Sequence, residues 1–499
     1  MHSISFSKLS GSTYRAIRSG ANSGCGRSLA ADSRPSGRSI GQGRIRMSHR
    51  HAKPAILAAL CMSMSALGAA RAEVPFAEVG KQAPITVLIN ASPWYKGFEK
   101  VVELYEDQTG NVVNLEVTPF DGMLEKARSA VRNGGTSPLD LVNMNGLSAV
   151  EFYEGGFLTP FADIDPDFKW PKEAYTYGDS NCWDAGKRYP DCSTGKVMGF
   201  SPNGNVQLYY YRSDVFKEKG LKPPATFDEV LADCKLLHNP PSAYGYLQRG
   251  EKGNGIFYDW MAYMLSYGAR AEADPAHGDY TVTINSPQAK AALDKFIEIS
   301  RNCGPANYAS LGQGDVIQLM QTGKGMQGHA VVAAFPNFDD PRKSAVVGQI
   351  DATILPKASA EAEPGIAIGN LILAVPANAS EAGKKGAVAF AKWFLTYGAQ
   401  YAYAEAGGIP VRGDVLSSDL RNRPEFRWMP AYQDSLKHGR QVFFYAEGTT
   451  ISNNVGLRIN QALVGEMSSA TALNQIAREM KALFEKNGRK TGMLPPLPE

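Results

Sequence analysis

No apolar run in the 499-residue sequence is long enough to cross a bilayer. The one candidate, Ala55–Leu67, falls short of the roughly 20 residues a spanning helix needs. Cysteine is scarce: six residues, two of them (Cys25, Cys61) within the first 72. None sits in a paired C-x₂₋₄-C spacing, which argues against a zinc site. Acidic residues are nearly missing from the N-terminus. Residues 1–72 hold one, Asp32, against eleven Lys/Arg. The remainder therefore carries 41 basic and 48 acidic residues, net −7, although the whole chain is formally +3. A body of that sign is no candidate for non-specific nucleic-acid binding. Catalytic signatures are absent too: no G-x-S-x-G, no H-E-x-x-H, no Walker loop and no G-x-G-x-x-G behind a strand. Paired carboxylates of a glycoside hydrolase leave no such signature, so a secreted carbohydrate-active enzyme stays open as an alternative.

What is present is globular in balance, 43% hydrophobic and 20% charged, with length for two or three cores. Residues 1–46 are rich in Ser, Gly and Arg, a composition that does not fold. Met47 opens an export signal. Arg50 and Lys53 supply its positive region, Ala55–Leu67 its apolar run, and Ala70-Arg71-Ala72 a small-x-small cleavage site. Residues 1–72 thus read as a leader cleaved after Ala72, with translation starting at Met1 or Met47. Leu60 before Cys61 does not match a lipid-anchor site, so the mature chain is expected to be exported and not a lipoprotein. Four cysteines remain, and an even count in an exported chain suggests two disulfides. Cys182–Cys192 is predicted to close a loop rich in Gly, Pro and Asp. Cys234 and Cys303 form either a second bridge or two buried thiols.

The mature chain alternates strand and helix. Ile85–Asn90 reads as a strand. A helix from Ser92-Pro93 follows, with Phe98, Val101, Val102 and Tyr105 on one face, stopped by Gly110. Val112–Val117, Gly122–Arg132, Leu139–Val142 and Ser148–Glu154 continue the pattern. Such alternation predicts an α/β protein with a parallel sheet. In Met198–Leu237, Val206, Leu208 and Tyr210 alternate with Gln207, Tyr209 and Tyr211, a strand period. A short helix then ends at Lys219-Gly220, Pro223-Pro224 breaks the chain, and Thr226 with Glu229 forms a capping box.

That stretch resembles the signature of family 1 extracellular solute-binding proteins, through Tyr209, Tyr210, Asp214, Phe216, Gly220, Leu221, Pro223, Pro224, Thr226, Phe227 and Glu229. Further matches follow in order: Tyr105–Gly110, Ser137–Val142, Gly156–Phe161, Gly323–Gly328, Ile350–Pro356, Gly365–Val375, Ser380–Tyr397 and Gly407–Arg412. Phe227 stands where the family usually has Trp. The resemblance covers about residues 84–487. It implies a two-lobed periplasmic-binding-protein fold of type II, each lobe a mainly parallel sheet flanked by helices, joined by hinge crossovers. Lobe 1 maps to 84–202 plus 372–428, lobe 2 to 205–368 plus 432–487, and 488–499 is a tail. The implied protein is a periplasmic monomer that binds a carbohydrate and docks on ABC permease subunits. It needs no cofactor or metal and binds no nucleic acid.

A sugar needs polar rims and flat aromatic faces. Candidates are residues just after strands or at crossovers. Trp94 and Tyr95 follow the first strand. Asp121 lies in a turn, where it suits the N-cap of helix Gly122–Arg132 somewhat better than a ligand contact, and Asn145 follows the third strand. Asn205 sits at the first crossover and Asn370 at the second, where the family often has Trp. Trp260 shares a helix with Tyr258, some of which must be core. His329 follows the Gly328 strand and Arg412 ends GIPVR. Phe443, Phe444 and Tyr445 lie where the resemblance implies a stacking aromatic.

Overall fold

Residues 76–499, except Asn133 and the side chain of Asp121, are described in a computed structural model. The leader expected over 1–72, with Cys25 and Cys61, lies outside them. Two sheets form the framework. In the first, β1 (Ile85–Asn90) pairs parallel with β2 (Val113–Thr118), and a parallel bridge from Val87 to Leu141 joins β1 to the segment leading into β3 (Val142–Asn145). Further on, β4 (Gly199–Phe200) leads into the second sheet. There β5 (Gln207–Arg212) lies centrally between β6 (Gln327–Val331) and β7 (Ile350–Thr353). The chain returns as β8 (Leu371–Ala374), which fits between β3 and β4.

The sheets are less parallel than expected. β8 runs antiparallel to β3 and β4, and both partners of β5 run antiparallel to it. Parallel bridges beside the second sheet include Tyr244–Gly325 and Leu247–Gly328 near β6 and Thr226–Lys357 beyond β7. The cause is the crossovers. β1, β2 and β3 all end where the two sheets meet. A chain crossing there must start its next strand there, so β5 and β8 run away from the junction and oppose the strands that arrive at it.

Local signals explain the helices. Helix Tyr95–Thr109 buries Phe98, Val101, Val102 and Tyr105, and Gly110 stops it at φ +66° with its N–H on Glu106 O. Helix Phe227–Leu237 carries the capping box between Thr226 and Glu229. Two disulfides form. Cys182–Cys192 closes its loop, and Cys234–Cys303 ties helix Phe227–Leu237 to helix Pro287–Cys303. Among the described residues no helix is long and apolar enough to cross a membrane.

The connections between the sheets are tightly built. Asn205 Nδ2 donates to Gly369 O at 2.6 Å, tying one connection to another. Gly204 leaves room for Tyr432: a Cβ there would meet its hydroxyl at 2.0 Å.

Candidate functional site

A cleft of about 560 Å³ opens at the meeting point of the sheets. From the first sheet, the carboxyl ends of β1, β2 and β3 contribute Ser92, Trp94, Phe120 and Asn145. That is where open α/β sheets bind ligands. From the second side come Gln207 at the start of β5, the loop Arg249–Lys252, Tyr258, and Gln313 at the start of helix Gln313–Gln321. Asn205, Gly369 and Leu371 line it at the connections.

The aromatic groups differ in exposure. Trp94 is 4% exposed and meets Phe98 edge-on at 5.9 Å, while Phe120 is 38% exposed at the rim. Tyr258 hydroxyl donates to Asn145 Oδ1 at 3.3 Å, joining the two sides. Asn145 Oδ1 also accepts Leu147 N–H, capping helix Gly146–Glu154. Gly369 matters for this contact, because a Cβ would lie 3.1 Å from the Tyr258 ring.

Behind the second wall lies Asp259, fully buried. It accepts Arg249 N at 2.7 Å and Arg249 Nε at 2.8 Å, and also Arg249 Nη2 and Gln207 Nε2. His329 Nε2 lies 3.1 Å from Oδ2, the oxygen that accepts Arg249 N–H, and His329 Nδ1 is hydrogen-bonded to the Tyr246 hydroxyl at 2.7 Å. Burial alone would raise the Asp259 carboxyl. The Arg249 guanidinium and His329 outweigh it and hold the group below the usual carboxylate range.

The candidates from sequence fall in different places. Trp94, Asn145 and Asn205 line the cleft. Tyr95 is half-buried, its hydroxyl on Glu99 at 3.0 Å. The Asp121 side chain lies outside the described residues. Trp260 is fully buried, two positions along the helix from Tyr258, which does line the cleft. His329 lies beneath the cleft, behind Asp259. Asn370 is buried against Ser180 at 2.8 Å and Ser201 at 3.2 Å. Arg412 points into the body of the first sheet's side, donating to Asp414 at 2.9 Å and to Leu395 O at 2.9 Å. Phe443 stacks on Phe257 at 5.2 Å, Phe444 is buried, and Tyr445 hydroxyl donates to Glu272. Gln207 and Arg249 escaped the sequence reading. Gln207 carries a weak signal, a polar residue opening a central strand that continues Leu-Tyr-Tyr-Tyr. Arg249 carries none, because its partner Asp259 reaches it only through the fold.

Comparison with known proteins places this architecture. The model of the family described as bacterial extracellular solute-binding protein matches residues 90–401. A protein named only as a binding protein in Brucella abortus is 26% identical over 231 residues, 46% of this chain and 52% of its own length. The chain thus spans about half the length of that relative. The mannitol-binding protein of Pseudomonas aeruginosa is 27% identical over 309 residues, 55% of this chain and 67% of its own length. Two solved structures share the fold. A ribitol complex from Agrobacterium radiobacter has a TM-score of 0.69 at 21% identity, covering 82% of this chain and all of its own. A maltose-bound protein of T. maritima has 0.70 at 19% identity, covering 80% and all of its own. With two sheets, crossovers between them and a cleft at the strand ends, the chain belongs to the bacterial extracellular solute-binding protein family.

Proposed function

We propose that this protein is the periplasmic capture subunit of an ABC importer for a neutral polyhydroxylated solute, a sugar alcohol or small sugar. The cleft carries the reading. Its volume of about 560 Å³ is in the range of small-molecule sites, about 300–1,000 Å³. Indole, phenol and phenyl faces alternate there with amide groups. Two cations, Arg249 and Lys252, balance two anions, Glu251 and Asp315. A polyol presents C–H faces and hydroxyls without charge, which that lining matches. Relatives with the same fold bind ribitol, maltose and mannitol. Lobe 1 (84–202 and 372–428) and lobe 2 (205–368 and 432–487) close on the solute, and binding shifts the population towards the closed form. The loaded form docks on the permease pair, and ATP is consumed there.

The test is a thermal-shift panel on protein refolded free of ligand. Ligand bound only by the native state adds RT ln(1 + [L]/Kd), about 2.7 kcal/mol at a hundredfold excess over Kd. Mannitol, ribitol or maltose should raise Tm and be recovered unchanged. A shift with glycerol phosphates or amino acids alone would overturn the solute class, and chemical turnover would favour a carbohydrate-active enzyme.

A further inference from the structure

The cluster behind the second wall divides into two layers. Arg249 and Gln207 line the cleft, while Asp259, His329 and Tyr246 do not. Arg249 and Gln207 both donate to one oxygen, Asp259 Oδ1, so their head groups sit side by side. Each keeps one polar atom in reserve. Among the described residues Arg249 Nη1 has no hydrogen-bond partner. Neither has Gln207 Oε1, although Gln207 is 4% exposed. A buried acceptor left unpaired is costly, and this one belongs to a side chain that lines the cleft. The rear layer holds the front one still. Asp259 grips both the backbone and the guanidinium of Arg249, and His329, itself held by Tyr246, stands 3.1 Å from the carboxylate. Asp259 also cancels the guanidinium charge, so the pair can recognise hydroxyls without selecting an anion.

We infer that Asp259 is a positioning residue for ligand specificity: it clamps Arg249 and Gln207 so that Arg249 Nη1 donates to, and Gln207 Oε1 accepts from, adjacent hydroxyls of one polyol. Donor and acceptor side by side match a vicinal diol, in which each hydroxyl can give or take a proton. Fixing them before binding avoids the ordering cost that loose side chains incur. This rests on the polyol reading of the cleft.

The experiment uses refolded wild type, Arg249→Lys, Gln207→Leu and Asp259→Asn, titrated calorimetrically with D-mannitol and ribitol. The tighter binder is then replaced by its monodeoxy analogues. Arg249→Lys and Asp259→Asn should each raise Kd by about tenfold or more, the scale of a lost charged hydrogen bond. Wild type should penalise removal of particular hydroxyls, and Arg249→Lys and Gln207→Leu should no longer do so. A purely structural role for Asp259 would lower Tm yet leave that discrimination intact. Variants that keep both the wild-type Kd and its discrimination overturn the inference. If Asp259→Asn does not fold, the two cleft-lining variants decide. If wild type itself binds neither polyol, the solute reading fails and this inference falls with it, an outcome that the wild-type titration alone identifies.

Discussion

Glu272 and Glu447 are two buried carboxylates with different neighbours. Glu447 lies against Arg489, whose Nη2 is 2.9 Å from Oε2 and whose guanidinium covers the Tyr280 ring at 4.6 Å. Glu272 accepts the Tyr445 hydroxyl and, among the described residues, pairs with no cation. Burial pushes it up to about 7 from its ordinary 4.5, against the smaller downward pull of the Tyr445 hydrogen bond. The sign for stability follows. Below about pH 4.5 both folded and unfolded chains hold the proton, and nothing is lost. Between about 4.5 and 7 the unfolded carboxyl ionises while the folded one does not, so stability falls. Above 7 the loss is complete, on the order of 3 kcal/mol from the two pKa values. Urea unfolding of Glu272→Gln should therefore weaken less than wild type between pH 4.5 and 8. Equal slopes in the two proteins would show that Glu272 ionises normally. The same logic limits what the sequence displays at this scale. Trp94 and Asn145 were legible because position after a strand points at a cleft. Arg412 and His329 carry the right chemistry for a sugar site, but Asp414 and Asp259 engage them, and those pairings exist only in three dimensions.

Elements were more legible, because their signals are local. The capping box at Thr226, the glycine stops at Gly110 and Gly220 and the strand at Ile85–Asn90 all stand where propensity puts them. Strand direction was not local. The mostly antiparallel second sheet follows from where the chain crosses over, and no window of residues encodes that. The disulfides join elements at different ranges, 10 residues for Cys182–Cys192 and 69 for Cys234–Cys303. In the chain-entropy model the longer loop constrains the unfolded state more, by about 4 against about 3 kcal/mol. Double replacement of Cys234 and Cys303 by Ala should thus lower the urea midpoint more than double replacement of Cys182 and Cys192. The reverse order would mean that native packing around the short loop outweighs chain entropy.

At the scale of the whole molecule the fold was visible as an ordered series of loose motifs, while the proposed solute class rests on the lining of one cleft. The two sides of that cleft come from different sheets, and the bond from Tyr258 to Asn145 spans it. A solute that bonds to Trp94 and Asn145 on one side and to Gln207 and Arg249 on the other adds contacts that only a closed arrangement completes. Small-angle X-ray scattering of the refolded protein, with and without saturating polyol, measures this directly. Closure should give a smaller radius of gyration with ligand, and no change in an Arg249→Lys variant at a concentration too low to saturate it. Superimposable curves for wild type at saturation would contradict capture by closure between the two sheets.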